Sequence, residues 1–72
     1  MKVGDLVRLK QPFRPTITSP ETFYFGKVAG IIATESDPEV LVYLCNSDGS
    51  EIYVDELGYQ AIYSFRLDEV EC

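Results

Sequence analysis

At 72 residues, with 46% hydrophobic side chains and a net charge of −6, the chain is one domain close to the smallest size that folds on its own core. The varied composition argues against disorder, the short apolar runs against a membrane span, and the absence of histidine removes the usual acid–base and zinc chemistry. A sequence pI near 4.3 opposes any partner held mainly through its phosphates.

In chain order, a Gly4-Asp5 turn feeds a first strand over residues 5–10, with Val7 and Leu9 on one face and Arg8 and Lys10 on the other. Residues 11–22 hold Pro12, Pro15 and Pro20, which remove ladder donors and restrict their predecessors. They predict a long Pro-rich first loop, with a brief edge pairing at Thr16, Ile17 and Thr18. The second strand runs from Phe23 to about Ala33, bent or bulged by Gly26 and Gly30. After a polar turn at residues 35–38 comes a third strand, Glu39 to Cys45, whose Val40, Val42 and Leu44 face the core.

Asn46-Ser47-Asp48-Gly49 is a turn with glycine at its positive-φ position, leading to a fourth strand over residues 51–54. Residues 55–58 read as one short helical turn stopped by Gly58. The last strand spans residues 62–67, and Asp68-Glu69-Val70 forms a further single turn. Short strands at ten-to-twelve-residue intervals, a long first loop and a terminal strand free to pair with the first describe an all-β, five-stranded SH3-like barrel filling residues 1–72. Its expected core is Val7, Leu9, Val28, Val42, Leu44, Phe65, Leu67 and Val70.

No residue group demands catalysis. The carboxylates lie in polar, solvated segments, and no base stands beside Cys45, so the chain reads as a non-enzyme with no cofactor. Cys45 and Cys72 lack metal-ligand spacing, require no disulfide and suit a reducing compartment. Asp48, Glu51, Asp55 and Glu56 read as a solvated acidic rim rather than a cation site, because their order is not that of a calcium loop.

Five of the six basic residues lie in residues 1–34, and ten of the twelve acidic ones in residues 35–72. A small-barrel nucleic-acid binder using Arg8, Lys10 and Arg14 is therefore the alternative reading, opposed by the overall charge. The main reading is a protein-interaction module. Its contact residues are Phe13, Arg14, Tyr24, Tyr59 and Tyr63, aromatic side chains on or beside loops and rimmed by charge. Phe13 has a competing role as a cover for the open barrel end.

Gly4-Asp5-Leu6-Val7-Arg8, Tyr24-Phe25-Gly26-Lys27-Val28, Val40-Leu41-Val42 and the closing Phe65-Arg66-Leu67-Asp68-Glu69-Val70-Glu71 resemble the small SH3-like components of cyanobacterial and chloroplast photosynthetic complexes. The E-type component of photosystem I and the S and O components of photosynthetic NDH-1 are of this kind. The resemblance implies an accessory or docking subunit in the cytoplasm or on the cytoplasmic or stromal side of the thylakoid membrane, without a membrane span. Ferredoxin is one candidate partner under that resemblance. Ferredoxins are acidic, so a net charge of −6 opposes that pairing.

Overall fold

A computed structural model describes residues 1–15 and 21–71. They form an all-β fold of five antiparallel strands: β1 (Leu6–Phe13), β2 (Phe23–Ile32), β3 (Glu39–Cys45), β4 (Ile62–Arg66) and β5 (Val70–Glu71). A 3-10 turn, Leu67–Glu69, joins the last two. The strand order is β4-β3-β2-β1-β5, so four strands meander and the fifth returns to the first. The sheet curls into a half-barrel around one apolar face.

Register explains the core. On the inner face Val7, Gly26 and Leu44 stand in one row, Val28, Val42 and Tyr63 in the next, and Ile31, Val40 and Phe65 in a third. Leu9 faces Val70 across the β1–β5 pair. Val7, Leu9, Val28, Val40, Val42, Leu44, Phe65 and Val70 are buried together, with Phe13, Phe23, Tyr53 and Tyr63 packed around them. The period-2 alternation of Val7 with Leu9 and of Val40, Val42 and Leu44 therefore places these residues as expected.

The glycines of β2 act as predicted. A register shift between Val28 and Gly30 marks a bulge, and at Gly26 the backbone approaches Val42 more closely than any side chain would permit. Gly49 takes φ +75 in the turn after β3, and Gly4 takes φ +95 where residues 2–5 turn into β1.

Four expectations are corrected. β1 continues through Gln11 to Phe13, so these residues are strand rather than loop. A register shift between Arg8 and Phe13 interrupts the ladder, which is where a strand tolerates Pro12. The edge pairing expected at residues 16–18 lies outside the described residues.

The fourth strand expected at residues 51–54 reduces to an isolated bridge, Cys45 to Ile52, with Tyr53 N–H donating to the Leu44 carbonyl at 2.8 Å. Beyond the bridge the chain enters the turn at Asp55, whose N–H donates to the Tyr59 carbonyl at 2.9 Å. The fifth strand is instead Val70–Glu71, reached because the chain turns at Leu67.

That same turn overturns the core assignment of Leu67. The Arg66 N–H donates to Glu69 Oε1 at 2.8 Å and the Val70 N–H to the Leu67 carbonyl, a tight turn that buries Val70 and leaves Leu67 40% exposed. Lastly, residues 55–58 form no helical turn. They make a reverse turn in which the Gly58 N–H donates to the Asp55 carbonyl at 3.0 Å, with Gly58 at φ +87.

Candidate interaction surface

The five predicted contact residues separate into two groups. Phe13 and Tyr63 meet edge to face, ring centroids 5.0 Å apart, and Phe13 also meets Phe65 at 5.3 Å. Phe23 and Tyr53 form a similar pair at 5.2 Å. Phe13 and Phe23 are cross-strand neighbours, and Phe13, Phe23, Tyr53 and Tyr63 pack against the apolar core that includes Phe65. Phe13 and Tyr63 are half-buried there. The Tyr53 phenol has its pKa pushed up by burial first, and then by the nearby Tyr63, Asp55, Glu56 and Glu21.

Arg14, Tyr24 and Tyr59 are exposed, and Arg14 makes no ion pair among the described residues. Among the described residues no ring contact joins Tyr24 or Tyr59 to the Phe13 cluster. A cleft of about 390 Å³ lies beside the cluster, between Lys10–Phe13 and Phe65–Glu69. Arg66 on its wall is engaged by Asp68 at 3.3 Å and by Glu69 at 3.8 Å. Both pairs are solvent-exposed and contribute little to stability.

Tyr59 owes its position to Asp55. The Asp55 carboxylate accepts hydrogen bonds from the N–H groups of Leu57 and Tyr59, each at 2.9 Å, and the Asp55 N–H donates to the Tyr59 carbonyl at 2.9 Å. The loop is thus pinned while Leu57 and Tyr59 stay 81% and 68% exposed. A turn stabilised by its own hydrogen bonds has no need of two large exposed apolar residues at its tip. Sequence reasoning found Tyr59 and missed Leu57, which has no motif to mark it.

The outer face of the sheet was also missed. Leu6, Lys27, Tyr43 and Ile62 form one row across four strands, and Arg8, Phe25 and Cys45 form the next. The turn after β3 bends toward this face, so that a Cβ on Gly49 would lie 3.5 Å from Leu6 Cδ1. Cys45 is only 1% exposed yet stands apart from the inner core cluster. The clamp that shapes the turn is local. Asn46 Oδ1 accepts from the Glu51 N–H at 3.1 Å, and Asp48 Oδ1 accepts from the Ser50 N–H at 2.9 Å. The Ser50 hydrogen bonds hold the Asp48 carboxyl below its usual range.

Burial pushes the Cys45 thiol up, outweighing the opposite pull of Lys27, while Asp48 adds to the rise. A neutral thiol without solvent access is a poor nucleophile. In a Cys72→Ser background, native protein should therefore resist iodoacetamide at neutral pH and react rapidly once unfolded in urea. Equal rates in the two states would refute the burial of Cys45.

Among the described residues no group of acidic and cysteine side chains is placed to hold a metal ion, and no helix is long and apolar enough to cross a membrane. No family model, curated protein or solved structure matches the chain. The fold and the surface carry the functional argument alone.

Proposed function

We propose that this chain is an SH3-like, non-catalytic protein-interaction module, an accessory or docking subunit of a larger assembly. The observation that carries the reading is the Asp55-pinned loop, which displays Leu57 and Tyr59 to solvent without structural need. Exposed aromatic and aliphatic side chains on a preorganised loop lose little conformational freedom when a partner covers them. Tyr24, 52% exposed, and Arg14 extend the contact set. The strand order β4-β3-β2-β1-β5, with a 3-10 turn before the short closing strand, supports the SH3-like description. With the opening and closing motifs, it makes a photosynthetic electron-transfer complex the first assembly to examine. The corresponding location is the cytoplasm or the cytoplasmic or stromal face of the thylakoid. Ferredoxin is a poor fit for a chain of net charge −6.

The test is affinity capture from a cyanobacterial extract, comparing the wild type with Tyr59→Ala and Tyr24→Ala. Components of photosystem I or NDH-1 should elute with the wild type and fall at least about tenfold with Tyr59→Ala. The thermal midpoint should hold, because both side chains are largely solvated. Phe13→Ala should instead lower the midpoint, because its ring packs on Tyr63 and Phe65. Equal recovery by wild type and Tyr59→Ala would remove Tyr59 from the contact. Recovery of neither complex would remove the photosynthetic assignment.

A further inference from the structure

On the outer sheet face, Lys27 lies between Leu6 and Tyr43 in a row that ends at Ile62. Tyr43 is half-buried and Ile62 is 50% exposed. Lys27 makes no ion pair among the described residues, in a chain with twice as many acids as bases. Two residues separate Ile62 in sequence from the end of the loop just described, with Glu56 exposed beside Leu57 and Tyr59. One surface thus offers an unpaired cation on an apolar strip. Its neighbour offers an unpaired anion beside two exposed apolar side chains. Each half has the chemistry the other lacks.

We propose that the occupant of this face is a second copy of the chain, in a two-fold dimer where each loop at residues 55–59 seats on the other's outer sheet face. Chain connectivity favours this arrangement. Two residues separate the end of the loop from Ile62, on the edge strand β4, so a two-fold axis near Ile62 lets both loop-to-face contacts form together and closes the assembly at two copies. Leu57 supplies the apolar anchor on the Tyr43–Ile62 strip, and Glu56 of each copy pairs with Lys27 of the other. The loop is held by Asp55 before it meets its partner, so little ordering is lost on association. Net charge opposes the dimer at long range. At about 0.15 M salt, screening over about 8 Å weakens that repulsion more than it weakens a contact pair.

The proposal shares its loop with the docking reading but does not depend on it, and its test uses purified chain alone. Sedimentation equilibrium at about 0.15 M salt should show a monomer–dimer equilibrium below about 0.5 mM. Leu57→Ser should weaken it at least about tenfold. Lys27→Glu and Glu56→Lys should each give monomers, because like charges then meet twice across the axis. Mixing the K27E chain with the E56K chain should restore a dimer containing one of each, since both charge pairs are again opposite. Circular dichroism should show both variants folded.

Three results would overturn the proposal. They are a wild type that stays monomeric to about 0.5 mM, a dimer insensitive to K27E and E56K, and a mixture that stays monomeric. Failure of the dimer leaves capture from extract unchanged. Loss of capture with an intact dimer removes the docking reading alone.

Discussion

Leu44→Ala should bring the domain to the edge of unfolding. Leu44 is fully buried, stands in the inner row with Val7 and Gly26, and has its carbonyl engaged by Tyr53. Truncating such a side chain costs about 2–5 kcal/mol, the larger values applying where neighbours cannot collapse into the space. Here they cannot easily do so, because Val7, Val28 and Val42 are β-branched side chains held on paired strands. A chain of this length has only about 4–11 kcal/mol of total stability at about 0.05–0.15 kcal/mol per residue. The thermal midpoint should fall by about 8–40 °C at about 4–8 °C per kcal/mol. Thermal melts followed by circular dichroism check it. Leu67→Ala, at a partly exposed position, should cost under about 1 kcal/mol. Comparable losses at the two sites would restore Leu67 to the core.

The contrast between Leu44 and Leu67 shows where sequence reading succeeds and where it stops. Alternation in β1 and β3 is strict, so the inward faces of Val7, Leu9, Val40, Val42 and Leu44 follow from period 2 alone. The turn at Gly49 was equally legible, because its residue types match its backbone. Leu67 follows Phe65 at the right spacing, but the 3-10 turn breaks the period there. Its organiser is Glu69 reaching back to the Arg66 N–H, three residues apart and without an apolar signature.

Cys45 ends an apolar run on the face away from Val40, Val42 and Leu44, yet it is 1% exposed, and the turn after β3 folds toward that face. The contact surface divides along the same line. Exposure of Tyr59 was legible from its glycine-bounded loop. The inward role of Phe13 required knowing that β1 extends to it. The Lys27–Tyr43 row required register across three strand pairs, which no single segment encodes.

Gly26→Ala should destabilise the domain by overpacking its core. Gly26 sits on the inner face, and a Cβ there would lie 2.9 Å from Val42 Cγ2 and 3.0 Å from Val42 Cβ. Its φ is not in the positive region, so the penalty is steric rather than conformational. Val42 is fully buried and paired on both sides, to Val28 and to Tyr63, and has nowhere to retreat. Overpacking of this kind costs about 1–3 kcal/mol, which exceeds the roughly 0.5–1 kcal/mol gained by removing glycine's freedom from the unfolded chain.

Gly30 provides the control. A Cβ there meets only Leu41 Cδ1, at an ordinary 3.7 Å, so Gly30→Ala should be neutral or slightly stabilising. Urea unfolding of both variants would separate crowding from backbone entropy. A double variant, Gly26→Ala with Val42→Ala, should lose less than the two single costs added, because the space removed at one site is supplied at the other. Strict additivity would mean that the Val42 side chain is not what excludes a Cβ at residue 26. The close approach of β2 to Val42 would then have to be held by the backbone alone, and the curl of the sheet would not depend on glycine at this position.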